Sequence, residues 1–250
     1  MGWLDTLTLF KRRAADDKPD ASQTTAELMA QALDAAEAND YESVLAIWGP
    51  LAHQGVARAQ NNIGKCFSEG LGIAQDSALA LKWLTLAAEA GDPIGQRNLA
   101  DIYFKGEGVE ANAVQAAELY RAAAEAGDGP AQDMLSWMLV EGEMIPGDIK
   151  EAKHWAELAA AQGVVPAMTR LGMIYHNAIG VERDPVEAAR WWDKAAARGD
   201  ADAQVMLGAA YQLGAGVPQD GVAALMWLLR ARANGNVLAD SFIQPTFASM

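Results

Sequence analysis

A period of 36 residues runs through most of this chain and constrains its fold more than any other feature. Shifting Ala167–Asp202 along the sequence by that period, in either direction, lands like on like. Leu171 meets Ile63, Leu99, Leu135 and Leu207, and Tyr175 meets Phe67, Tyr103, Leu139 and Tyr211. Ala188 meets Ala80, Ala116, Ala152 and Ala224, while Trp191 meets Trp83, Leu119, Trp155 and Trp227. Gly199 meets Gly91, Gly127, Gly163 and Gly235. A unit of this size cannot bury its apolar face alone, so successive copies must cover one another, and a solenoid is expected.

Each unit has room for two helices. Ala167, Leu171, Ile174, Tyr175 and Ala178 fall on one face of a first helix. Ala188, Trp191, Trp192, Ala195 and Ala196 form the matching stripe of a second. Between them Asp184 is placed to cap the second helix, with Pro185 in its first turn and Glu187 completing a capping box. Asp148 with Glu151, and Asn112 with Gln115, repeat the arrangement. A cap is worth roughly 1 kcal/mol, so these residues fix where helices start rather than supply the stability. The column Gly64, Ala100, Ser136, Gly172 and Gly208 admits only small residues, as two helices in close approach require.

The combined pattern reads A-x3-LG-x2-Y, then G-x-GV-x2-D, then A-x2-W-x3-AA-x2-G. It resembles the Sel1-like repeat, a relative of the tetratricopeptide repeat with a longer turn between its helices. Gly106-Glu107-Gly108-Val109 and Gly214-Ala215-Gly216-Val217 match the turn in full, whereas Met144 and Ala178 each replace one of its glycines. The resemblance covers residues 59–238 as five units: 59–94, 95–130, 131–166, 167–202 and 203–238. It implies an all-α, right-handed α-solenoid of antiparallel helix pairs that scaffolds protein complexes. A few Sel1-like proteins are described as β-lactam-binding or hydrolysing, so a β-lactamase-like hydrolase is the rival from another class.

The ends depart from the pattern. In residues 1–13, Trp3, Leu4, Leu7 and Phe10 share a helical face ahead of Lys11, Arg12 and Arg13. That order is wrong for a secretory signal. It suits a terminal helix that packs on the protein itself or, alternatively, makes a weak contact with a membrane surface. The start Met-Gly-x3-Thr also fits the short myristoylation pattern. Residues 14–24 read as a polar linker, and 25–58 as an atypical first helix pair joined by a short turn, closer to an ordinary tetratricopeptide hairpin. Residues 239–250 read as a cap in which Ala239 and Ile243 begin a helix, Pro245 interrupts it, and Phe242 and Phe247 cover the last repeat. Six helix pairs are expected in all.

Charge and composition narrow the chemistry. The formal net charge of −14 disfavours nucleic acid, which demands a basic surface, and suits a basic or mixed-charge protein or peptide partner. No run of 18 apolar residues is present, so no membrane-spanning helix is expected. Cys66 is the single cysteine, and its column of Ile102, Met138, Ile174 and Ala210 is apolar, so a buried structural thiol is expected. The cysteine pairs that staple each repeat of some secreted Sel1-like proteins are missing. A cytoplasmic location is expected, with a peripheral membrane contact through residues 1–13 as the alternative. His53, His154 and His176 show no metal-ligand spacing, and no nucleophile, phosphate-loop or dinucleotide motif occurs. No cofactor, no metal and no enzymatic activity are therefore expected.

Variation between copies points to a binding face. On the first helices one stripe changes from unit to unit: Asn61/Lys65/Ser68, Arg97/Asp101/Phe104, Asp133/Trp137/Val140, Thr169/Met173/His176, Val205/Ala209/Gln212. In tetratricopeptide-like folds the equivalent stripe lines the concave groove. Arg97, Asp101, Phe104, Asp133, Trp137, Met173 and His176 are therefore the candidate protein-binding residues, with the aromatic side chains as anchors and the charges setting register. Trp137 and Phe104 have a second reading, as fillers between adjacent helices. The periodicity is directly testable. Excising Ala131–Pro166 should leave a chain that still melts cooperatively by circular dichroism, and removing 18 residues from the same place should abolish the transition. Equal unfolding of both would contradict the repeat.

Overall fold

The computed structural model describes residues 23–248, which hold 13 helices and no strand. The run Trp3, Leu4, Leu7 and Phe10, with the bases after it, lies outside the described residues, as does the side chain of Phe247. The chain divides after Asp128 into two compact units.

The first unit contains α1 (Thr25–Glu37), α2 (Tyr41–His53), α3 (Ala57–Glu69), α4 (Ser77–Glu89), α5 (Pro93–Lys105) and α6 (Ala113–Glu125). Consecutive helices pack on one another, and α3 also touches α5, the next first helix. The α1–α2 hairpin turns within three residues, with Asn39 at φ +59°, as the short spacing of the atypical first pair requires. Thr24 and Glu27 close a full capping box at the start of α1. The core here joins Val44, Leu45 and Trp48 of α2 to Ile63, Cys66 and Phe67 of α3 and Trp83 of α4. Trp83 is 1% exposed.

The second unit contains α7 (Gly129–Glu141), α8 (Ile149–Ala161), α9 (Val165–His176), α10 (Pro185–Ala196), α11 (Ala201–Leu213), α12 (Gly221–Ala233) and α13 (Ala239–Ala248). Leu171, Trp192, Leu207 and Trp227 lie in one cluster that runs from α8 to α12. α13 closes the stack by burying Ala239 and Ile243 against Val205, Leu228 and Ala231, with Phe242 packed alongside. Contrary to expectation, the helix continues through position 245 to Ala248. A proline inside a helix removes one backbone donor and crowds the carbonyl four residues back, at a cost of about 3 kcal/mol, which the burial of Ala239, Ile243 and Thr246 offsets. The consecutive packed pairs of each unit are an α-solenoid arrangement, as the period requires.

Small residues on the first helices meet large ones on the second. A methyl group on Gly64 or Gly208 would sit 2.7 or 2.8 Å from Cγ of Leu84 or Leu228, and one on Gly172 would run into the Trp192 indole. Trp192 is only 2% exposed, while its neighbour Trp191 stays half-exposed under the Lys194 ammonium, 3.9 Å from its ring.

Asp76, Asn112, Asp148, Asp184 and Asp220 each cap a second helix through a backbone N–H. The glutamates expected to complete boxes act otherwise. Glu187 pairs with Arg190 at 3.2 Å, and Glu151 accepts from Trp155 Nε1 at 3.0 Å, because each faces a donor one turn ahead on its own helix.

The two irregular turns resolve differently. Met144 keeps out of the positive-φ region, whereas Ala178 adopts φ +56° where the other copies place glycine. A left-handed alanine costs roughly 1–2 kcal/mol, against which glycine loses up to about 1 kcal/mol more unfolded-state entropy. Ala178→Gly should therefore raise stability by about 0.5–1 kcal/mol in urea titrations. A lower midpoint would contradict the strain.

Candidate functional site

The variable stripe is presented by α3, α5, α7, α9 and α11, and its three positions behave differently. The first position, Asn61, Arg97, Asp133 or Thr169, is taken up by contacts within each unit. Asn98 Nδ2 donates to Asn61 Oδ1 at 2.7 Å, and Arg170 pairs with Asp133 at 3.1 Å, in both cases bridging to the next first helix. Arg97 reaches Asp128 at 3.0 Å, and Thr169 Oγ1 donates to Asp200 at 3.1 Å. Asp92 receives Arg58 in the same way, at 2.7 Å.

These partners explain why the position varies. Asp92 and Asp200 cap the next first helix through Gly95 N–H and Ala203 N–H while accepting from the previous one. Where the repeat supplies Val164 instead, no carboxylate stands at that point, and the stripe carries Asp133 paired with Arg170. Arg97 and Asp133 are thus neutralised inside the fold: Asp133 is 7% exposed, and the Arg97 and Arg170 side chains are about one-fifth exposed.

A column not singled out by the sequence reading reinforces these links. Gln60, Gln96 and Gln204 each donate from Nε2 to a carbonyl eight residues upstream, on Ala52, Ala88 and Ala196. Gln132 and Gln204 also accept from Gln162 and Asn234. Met168 breaks the column, and there Arg198 donates to the Gly163 carbonyl at 3.1 Å. The recurrence of glutamine at the same phase in four copies would have revealed this clamp.

Several residues at the second and third stripe positions line open space. In the first unit Lys65, Ser68 and Asp101 share a cleft of about 230 Å³ with Asn98 and Lys105. Asp101 also accepts a short hydrogen bond from the Tyr120 hydroxyl. Burial, and after it the neighbouring Asp101 carboxylate, pushes the Tyr120 phenol far up. Phe104, one turn further along α5, is half-buried. In the second unit Val140, Thr169 and Met173 share a cleft of about 440 Å³ with Arg170, Asp200 and Asp202. Trp137 is half-buried on α7. His176 is turned toward α10, its ring 5.2 Å from that of Trp192.

Cys66 and the three histidines stand apart from these clefts. Cys66 is buried, and burial pushes its thiol up to about 11, away from a reactive thiolate. His53 stacks edge-on against Trp83, with Nδ1 2.8 Å from the Gly49 carbonyl, and His154 is exposed beside Trp155. Among the described residues no group of three or more histidine, cysteine or acidic side chains is arranged to hold a metal, and no helix is long and apolar enough to cross a membrane.

Comparison with known proteins agrees with this geometry. The Sel1 repeat model matches residues 57–92, 93–128, 129–164, 165–200 and 201–236. A Sel1 repeat protein from Oxalobacter formigenes superposes with a TM-score of 0.81 at 32% identity, covering 86% of each chain. A protective antigen of uropathogenic Escherichia coli with an SLR fold gives 0.80 at 29% identity, covering 95% of this chain and 50% of its own. An immunity protein from Pseudomonas aeruginosa shares the fold at 17% identity, with a TM-score of 0.54 over 89% of this chain and 86% of that one. No curated protein matches.

The pairing at the first stripe position has a measurable weight. Losing a hydrogen bond to a charged, largely buried partner costs roughly 1.5–3 kcal/mol. Arg170→Ala should lower the urea unfolding free energy by about that amount, and adding Asp133→Asn should restore part of it. Strict additivity of the two changes would show that the pair is not coupled.

Proposed function

Since this chain belongs to the Sel1 repeat family, we propose that it is a non-enzymatic protein-interaction scaffold that seats a partner segment along its first-helix faces. Sel1-repeat proteins are generally protein-interaction scaffolds, and their fold is typically non-enzymatic. The observation that carries the reading is the placement of both clefts: each is lined by stripe residues that change from copy to copy on helices whose inner faces stay constant. A surface that varies on an invariant frame is where specificity can differ without disturbing packing.

Arg97 and Asp133 hold neighbouring helices in this reading, and Asp101, Phe104, Trp137 and Met173 supply the contacts. Half-buried aromatic side chains make efficient anchors, because much of their area is already ordered before a partner arrives. His176 supports the face from behind, through Trp192. A basic or mixed-charge partner fits the acidity of the chain, and a cytoplasmic setting fits its single cysteine.

Trp137 supplies the test. A partner captured from native lysate and then titrated against Trp137→Ala should bind at least about thirtyfold more weakly, the equivalent of about 2 kcal/mol. The melting temperature should change little. The opposite pattern, a large fall in melting temperature with capture unchanged, would make Trp137 a filler between helices, since truncating a packed tryptophan costs about 3–5 kcal/mol of fold stability.

A further inference from the structure

The two clefts occupy corresponding positions on the repeat but differ in chemistry. In the first unit the walls neutralise themselves: Lys65 lies 3.7 Å from Glu69, and Lys105 lies 3.5 Å from Glu107. In the second unit the same register carries Val140 and Met173, which together with Ile179 give that cleft an apolar floor. Its volume of about 440 Å³ is enough to enclose a side chain and part of the backbone that carries it.

Three carboxylates rim this floor. Glu141 is exposed at the end of α7 and has no ion-pair or hydrogen-bond partner among the described residues. Asp200 accepts from Thr169 Oγ1 and Ala203 N–H, and Asp202 accepts from Asn236 Nδ2 at 2.6 Å. All those donors are neutral, so the negative charge stands. Among the described residues Arg170 is the one cation in the wall, and Asp133 neutralises it. An apolar floor under uncompensated negative charge complements a side chain with an alkyl stem and a cationic head. An acidic segment would be repelled, and a purely apolar one would desolvate carboxylates without replacing their water.

The geometry points to this cleft as the seat for one lysine or arginine side chain of an extended partner segment. Its methylenes lie on Val140 and Met173, and its head lies among Glu141, Asp200 and Asp202. The assignment deepens the scaffold reading and rests on the first-helix faces being the binding side.

The test uses the full chain with 13C-methyl methionine and the pentapeptide acetyl-Ala-Ala-Arg-Ala-Ala-amide, its lysine counterpart, and neutral counterparts carrying norleucine or citrulline. Met173→Leu assigns the reporter signal. The arginine and lysine peptides should shift the Met173 methyl saturably, and added salt should weaken them. The neutral peptides should bind more weakly. Glu141→Gln with Asp202→Asn, both at exposed sites, should lower affinity for the cationic peptides about fivefold. Equal shifts from the norleucine peptide, or undiminished binding by the double variant, would overturn the assignment. So would a silent Met173 methyl. Loss of partner binding in Trp137→Ala alongside any of these results would leave the scaffold reading standing and remove only the cationic seat.

Discussion

The structure depends on how closely the two helices of each pair approach. A small residue on the first helix leaves room for a large one on the second, as Gly172 does for Trp192 and Gly64 for Leu84. Trp83, Trp155, Trp192 and Trp227 are all at most 9% exposed. Each such burial contributes roughly 2–3 kcal/mol or more, larger than any cap or surface ion pair along the chain. The glycines thus set the interhelix distance, the aromatic side chains fill it, and the caps determine only where each helix begins. A wider first-helix residue opposite Trp192 would move a rigid indole rather than a flexible leucine, so the pair built on Gly172 is the least tolerant of the set.

Between pairs the adhesive is polar as well as apolar. Arg58, Arg97 and Thr169 reach carboxylates at the end of their own repeats, and Asp133 reaches Arg170 in the next one. Buried carbonyls near the ends of second helices receive the amides of Gln60, Gln96 and Gln204. A buried polar group without a partner is costly, so a change on one side of such a link demands a change on the other. That demand accounts for the residue at the first stripe position changing from copy to copy with no ligand involved. Variation between repeats can therefore arise from compensation alone, and the pairing pattern shows where it does.

The repeat, the helix pairs, the second-helix caps Asn112, Asp148 and Asp184, and the buried Cys66 were all legible in the sequence, because each follows from a local pattern repeated at constant phase. The variable stripe was legible as a stripe but not as three unlike positions. Arg97 and Asp133 have their partners 31 and 37 residues away, on elements that only the folded pair brings near. The glutamine clamp was present in the same phase, yet a polar residue at an inward position is readily taken for surface until its carbonyl partner is seen. Helix continuation through Pro245 was illegible for a related reason. Local propensity says stop, and burial of Ile243 and Thr246 overrides it.

Scaffolds of this kind have to separate stability from selectivity, and the repeat does so by position. Small and aromatic columns carry the fold, the first stripe position carries the joints, and several residues at the other two positions line the clefts. The first unit fills those positions with Lys65, Ser68 and Asp101, charged or hydroxyl groups that water and near neighbours already satisfy. The second unit fills them with Val140 and Met173, which gain from being covered, and rims them with carboxylates that gain little from one another.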